Sequence, residues 1–280
     1  MTRHAEIDVD VLCFLERHEA RVHAMPGRQL RELEGAALLF DPLDREPFWN
    51  RLQAVRWPDD PDAFDRRLDQ ATVLFAALDR LPHVWPRAVF NEPTDLVDRL
   101  IANGFEDVGG GHLMVLGSSS AVRSAATQET RRGVSVETVG PGDGRSGGER
   151  REAAADIAFV LAEAFGVADR EPAIELETAA MFDAPEVQTV LVRIDGEPAA
   201  AAKRTTFDGA TYLSSIGTRP AFRGRGLGRL VTARAAADAV SEGSRWVHLG
   251  VFADNEDAIR LYRSLGFETV GEVVPDLVLR

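Results

Sequence analysis

Arg223, Gly224, Arg225, Gly226, Leu227 and Gly228 follow one another late in the chain, and residues of these types at this spacing can hold a diphosphate. Glycines let the backbone itself close on an anion, where a Cβ would stand in the way. The arginines can add charge-assisted hydrogen bonds to phosphate oxygens. The chemistry needs a helix starting at the last glycines, because the first N–H groups of a helix lack internal partners and its dipole points its positive end outward. Spacing excludes two other phosphate loops. A Walker loop ends in Gly-Lys-Ser/Thr, which is absent, and a dinucleotide fingerprint requires a third glycine where Arg229 stands. The alternative is a tight turn with basic neighbours.

A second pattern lies about thirty residues on: Asn255-x-x-Ala258-x-x-Leu261-Tyr262-x-x-Leu265-Gly266-Phe267. Together the two segments resemble the signatures of the GNAT superfamily of N-acetyltransferases, in which (Gln/Arg)-x-x-Gly-x-(Gly/Ala) matches Arg223-x-x-Gly226-x-Gly228. The resemblance covers roughly residues 134–280 and implies acetyl-CoA as co-substrate, with no metal. It implies that the backbone at Ile216, Gly217 and Thr218 pairs with the pantetheine arm and polarises the acetyl carbonyl. Arg223 to Arg229 would cradle the pyrophosphate, and Asn255 would contact the cofactor arm. Tyr262 would stand near the sulfur as general acid, since a phenol of pKa about 10 can protonate a thiolate of pKa near 8.5 within hydrogen-bond reach. Its alternative role is a helix aromatic packed on the core.

No cysteine stands in this half and no nucleophile paired to a base is visible, so a covalent acyl-enzyme is not expected. Direct attack of a neutral primary amine in a ternary complex is, the acceptor being a small molecule or a peptide or protein amino group. The glutamate that some family members use as base is replaced by Ala210, with Tyr212 and Ser214 on alternate positions after it. Glu175, Glu177, Asp183 and Glu186 are candidates by location alone, and solvated surface charges otherwise. A non-catalytic acyl-CoA-binding sensor or scaffold is the rival reading.

The elements that must position these residues follow from periodicity. Val134–Val139 alternates as a strand, and Ala153–Phe165 has helical spacing. Val187–Arg193 and Ala199–Thr206 flank Asp195-Gly196 as a hairpin, because Asp-Gly adopts left-handed turn angles. Tyr212–Thr218 is a strand. A helix over 227–241, a strand over 246–252, a helix over 256–265 and terminal strands to Leu279 follow. The glycine-rich stretch 140–148 is expected to loop. The class is α/β (α+β): two GNAT-like domains, each a mixed, mostly antiparallel sheet flanked by helices.

Residues 116–133 are polar and short of large apolar side chains, as a solvated linker requires. The chain therefore divides into a domain at 1–116, a linker at 117–132 and a catalytic domain at 133–280. Val89–Glu106 lies over Val251–Glu268 with six identities in eighteen, and the same offset sets a helix over 62–81 on the helix after the glycine turn. Duplication explains both. Under that offset Arg223–Gly228 falls on Pro61–Arg66 behind Asp59 and Asp60, Asn255 on Pro93, and Tyr262 on Leu100. Carboxylates at a helix start cap it well and would repel a diphosphate. The first half is thus expected to be a degenerate GNAT-like domain without the cofactor motif.

A net charge of -13 argues against nucleic acid and suits a cationic substrate, or a solubilising surface. No apolar run approaches a membrane span, and the start lacks the layout of a signal peptide, so the expectation is a cytoplasmic monomer or homodimer. The lone Cys13 reads as a buried small hydrophobe on a helix. Phe48, Trp49, Trp57 and Trp85 read as packing aromatics, and His83 and His112 have no metal-like spacing.

Overall fold

A computed structural model describes residues 7–25, 27–87, 90–127, 133–166 and 171–280, with only the backbone described at 171–173, 177, 181 and 182. The first half runs α1 (Val9–His23), β1 (Gln29–Leu33), β2 (Ala36–Phe40), β3 (Arg51–Gln53), α2 (Pro61–Ala77), β4 (His83–Trp85), α3 (Leu96–Ala102), β5 (Glu106–Asp107), β6 (Gly111–Leu116) and α4 (Ser119–Ala126). The second runs β7 (Val134–Val139), α5 (Gly147–Phe165), α6 (Glu171–Asp183), β8 (Val187–Ile194), β9 (Glu197–Phe207), β10 (Ala210–Thr218), α7 (Leu227–Ser241), β11 (Trp246–Phe252), α8 (Glu256–Ser264), β12 (Phe267–Val274) and β13 (Leu277–Val278). Among the described residues no helix is long and apolar enough to cross a membrane.

Two sheets result, and their strand orders correspond. One reads β1-β2-β3-β4-β13-β5; the other reads β7-β8-β9-β10-β11-β6-β12. Remove β7 and each sheet has three antiparallel neighbours in sequence, then a parallel pair, β3/β4 or β10/β11. Each also has one strand inserted from the opposite half of the chain: β13 enters the first sheet and β6 the second. The compact units follow the sheets: of the described residues, one holds those within 7–112, 251–254 and 270–280, the other those within 113–250 and 255–269. The sequence reading assigned β6 to the first half and the terminal strands to the second. Alternation marks a strand but not its partner, and Leu277 is wholly buried with Leu38, Leu52, Phe64 and Leu100 in the first core.

The second sheet carries the element lengths read from the sequence. Asp195 and Gly196 both take positive φ, 50° and 86°, as the two central residues of a tight hairpin turn. Ala199 to Thr205 of β9 are buried without a break, because α5 and α7 both pack on the sheet. Ile157, Val160 and Leu161 of α5 meet Leu191 and Ala201 there, each large side chain contributing roughly 1.5–3 kcal/mol by leaving water.

Three local readings are corrected. Gly147 and Gly148 form the first turn of α5 rather than a loop, because Ser146 and Glu149 close a capping box around them, with Ser146 N–H donating to Glu149 at 2.8 Å. The polar stretch read as linker holds α4, whose Val122 and Ala125 are buried. Cys13 lies on α1 as expected but is half-buried, not buried. Residues 128–132 lie outside the described residues.

Candidate acyl-carrier site in the second sheet

The site begins where two parallel strands part. Pairing of β10 with β11 runs from Ala210↔Trp246 to Leu213↔Leu249 and stops. On the other edge the register shifts from Ser214↔Lys203 to Gly217↔Ala201, so β10 uses one residue more than β9, and Ser215 takes φ 49°. This is a β-bulge, which turns the end of a strand and re-aims its backbone. Gly217 faces β9, so by alternation Ile216 and Thr218 present their backbone groups to the edge that β11 has left. The parting also frees Gly250 N–H, which donates to the Tyr212 hydroxyl at 3.2 Å. Tyr212 is buried, with its ring edge-on to the buried His248 at 5.0 Å.

Two features fix this strand end. Gly217 is needed for space, since a Cβ there would lie 2.8 Å from the Cβ of Ala164 on α5. Arg219, 7% exposed, donates to Glu163 of α5 and Glu197 of β9, both at 2.7 Å, and lies 4.3 Å over Phe159. Sequence reasoning missed Arg219 because it looks like one more loop arginine. Its sole legible signal is its place directly after the strand.

Beyond it the loop opens. Gly224 and Gly226 have φ 74° and 79°, and a Cβ at either would meet nothing within 4 Å. Such left-handed turns point successive N–H groups into one concavity. Buried Phe222 and Leu227 pin the loop at both ends. The first hydrogen bond of α7 is Leu230 N–H to Gly226 carbonyl at 3.1 Å, so the N–H groups of Leu227, Gly228 and Arg229 have no acceptor within the helix. Gly226 is the N-cap and offers no side chain to cover them. Gly228 sits where a Cβ would touch Leu261 at 3.4 Å and Thr218 at 3.5 Å, tying the helix start to α8 and β10.

Arg223 donates to the carbonyls of Thr218 and Ala164, at 3.3 and 3.1 Å; Arg225 to Ala221, at 3.5 Å; and Arg229 to Ser264. These acceptors are neutral oxygens, so the guanidinium charges add to the helix dipole instead of being cancelled.

On α8, Asn255 is the N-cap, its Oδ1 accepting from Ala258 N–H at 3.2 Å. Tyr262 is 7% exposed, with its ring edge-on to Phe267 at 6.2 Å. Burial pushes its phenol up to about 12, so it remains a proton donor through neutral pH.

Of the candidate bases, Glu175 and Asp183 are exposed on α6 and Glu186 is half-buried before β8, while Ala210 is wholly buried at the start of β10. The Glu177 side chain lies outside the described residues.

In the first unit, Phe48 packs edge-on to both Trp49 and Trp85, Arg51 lies 3.9 Å over Trp85, and Trp57 packs on Phe64. His83, with no metal-like spacing in the sequence, is buried between the Pro47 carbonyl, at 2.6 Å, and the carboxylate of Asp276.

Residues 155–267 match the model of the acetyltransferase (GNAT) family. A mycothiol acetyltransferase from Nocardiopsis dassonvillei is 42% identical over 73 residues, 26% of this chain and 19% of that protein. The N-alpha-acetyltransferase RimI of Mycobacterium tuberculosis is 46% identical over 59 residues, 21% of this chain and 35% of the relative. The matched stretch thus spans about a fifth to a third of these curated relatives. Among solved structures, a GCN5-related N-acetyltransferase from Kribbella flavida is 25% identical, with a TM-score of 0.63, covering 92% of this chain and 94% of its own. A tandem GNAT protein from the clavulanic acid biosynthesis pathway shares the fold at 16% identity and a TM-score of 0.63, over 92% of this chain and 86% of its own. Residues 155–267, with their parted strands, open loop and uncapped helix, are thus the part of the chain that matches the acetyltransferase (GNAT) family.

Proposed function

We propose that the second half is an acetyl-CoA-dependent N-acetyltransferase acting on a primary amine, by direct attack in a ternary complex. The observation that carries this is the open start of α7: two left-handed glycines with free space above them, an N-cap without a side chain, and three arginines held by neutral oxygens. A diphosphate fits such a place and a carboxylate cap does not occupy it. Acetyl-CoA, when bound, would supply the thioester that an amine attacks.

The remaining roles fall to this chain's own groups. Backbone N–H groups of Ile216 and Thr218 would orient the acyl arm and polarise its carbonyl, and Gly217 and Arg219 would hold them in place. Tyr262 would donate the proton that the departing thiolate takes up, since its phenol is protonated at neutral pH. Asn255 would keep α8 capped beside the cofactor arm. We read residues 133–280 as the catalytic half by descent and 1–116 as its degenerate copy, joined through 117–132, with β6 and β13 traded between the sheets.

A second reading is favoured by one observation: Ala210, which stands where some family members carry a glutamate, is wholly buried and offers no group to deprotonate an ammonium. On that reading the chain binds an acyl-CoA as a sensor or scaffold. Calorimetric titration with acetyl-CoA, beside an Arg223→Glu, Gly226→Asp double variant, tests the cofactor site. One-to-one binding lost in the variant is expected, and absence of binding to the wild type would withdraw both readings. Turnover with any amine then separates the first from the second.

A further inference from the structure

The cleft between β10 and β11 has two ends. One leads to the glycine loop that follows β10; the other closes at Leu213↔Leu249, the last paired rung. Gly250 is the first residue of β11 past that rung, and it is exposed where Trp246 to Leu249 before it are buried. Glycine inside a strand marks a place where a ligand or another backbone comes close. A backbone N–H here would ordinarily turn to the neighbouring strand and carry the ladder one rung further. Instead it donates to the Tyr212 hydroxyl at 3.2 Å. The row to which Tyr212 belongs holds it at that post. Tyr212 pairs with Thr205 of β9 on one side and His248 of β11 on the other, its ring edge-on to the imidazole, and all three residues are buried. A side chain packed in this way does not swing aside at low cost. On the β9 edge the very next row, Lys203↔Ser214, is the last before the bulge. The hydroxyl thus stands at the corner where β11 leaves β10.

We propose that Tyr212 is a positioning residue for the acyl arm: by accepting from Gly250 N–H it keeps that group from pairing with β10, sets the separation of the two strands and leaves the cleft formed before any ligand arrives. This role rests on the acyl-CoA reading of the loop. With the diphosphate at Arg223 to Arg229, an arm paired with Thr218 and then Ile216 runs back along β10 and brings its thioester toward the end where Tyr212 stands. Without the hydroxyl, Gly250 N–H turns to a β10 carbonyl or to water, and the separation is no longer fixed. Part of the arm's binding energy then goes into parting the strands, which lowers its apparent affinity. The diphosphate contacts lie beyond Thr218 and are untouched. Every residue involved belongs to the second unit.

Calorimetry on the wild type and Tyr212→Phe with two compounds tests this: acetyl-CoA, and adenosine 3′-phosphate 5′-diphosphate, which keeps the diphosphate and lacks the arm. The wild type should bind acetyl-CoA more tightly than the nucleotide. In Tyr212→Phe, shown folded by its melting curve, affinity for acetyl-CoA should fall about tenfold and that for the nucleotide should stay, a split that general loosening of the fold would not give. The proposal is overturned if the folded variant binds acetyl-CoA as the wild type does, if both compounds lose affinity equally, or if the wild type binds the two alike. A wild type that binds neither compound overturns the acyl-CoA reading, and the role of Tyr212 with it. Should the variant fail to fold, hydrogen exchange at Gly250 in the free wild type decides: its bond to Tyr212 should make this exposed amide exchange slowly, and exchange at the rate of an open chain would overturn the proposal.

Discussion

Helices α2 and α7 begin at corresponding points of two sheets with the same strand order, and their first turns are built for opposite purposes. At α2, Asp60 accepts from Ala63 N–H and Pro61 removes a donor, so the helix start is closed on itself. Arg99 holds the neighbouring Asp59 through its carbonyl, at 2.8 Å, and its carboxylate. At α7, Gly226 leaves the first N–H groups open, and arginines stand around them. A helix start must satisfy its donors somehow. One does so with its own carboxylate and gains stability; the other leaves them open, for the diphosphate of the cofactor on the proposed reading.

The largest expected effect comes from making α7 resemble α2. Arg223→Glu with Gly226→Asp places two carboxylates where the diphosphate would lie, and affinity for acetyl-CoA in calorimetry should fall about a thousandfold. Tyr262→Phe should lower kcat roughly a hundredfold in a thiol-release assay while leaving affinity for acetyl-CoA unchanged. An unchanged kcat would make Tyr262 a packing residue, as its counterpart Leu100 is.

The third effect reads the carboxylates of the first unit by pH. Burial raises the Glu16 carboxyl from 4.5 unfolded to about 7 folded, so between these values the native state holds more protons than the unfolded one. Stability should therefore fall as pH rises from 5 to 8, by roughly 3 kcal/mol at most, and Glu16→Gln should flatten that slope in thermal melts. In Gly217→Ala the new Cβ presses on Ala164, which should cost about 2 kcal/mol in denaturant unfolding. Smallest is Asp60→Ala: loss of the α2 cap should cost about 1 kcal/mol and leave acetyl-CoA binding untouched. Any change in that binding would mean that the first helix start, too, serves the ligand.

Much of the second sheet was legible because its signals are local. The helix at 227–241 and the strand at 246–252 fall where periodicity set them, and Asp195-Gly196 makes the turn its chemistry requires. The open loop was legible for the same reason, since glycine, arginine and a helix start lie within a few residues of one another. Other features were less accessible. The α5 start was written in the sequence as Ser146-x-x-Glu149, but two glycines between them masked it. The Tyr212 contact with Gly250 and the Arg219 clamp depend on residues far apart in the chain, and no periodicity encodes which strands meet.

The traded strands set a timetable for the growing chain. The first sheet has a gap between β4 and β5 that only Leu277 and Val278 fill. At synthesis rates of about 5–20 residues per second, that gap stays open on the ribosome for roughly ten to thirty seconds after β5 has emerged. Through that interval two unpaired strand edges and the seat of Leu277 need shelter from other chains. The gene is bound in the same way: neither half can be cut away or recombined alone without taking a strand from the half that remains.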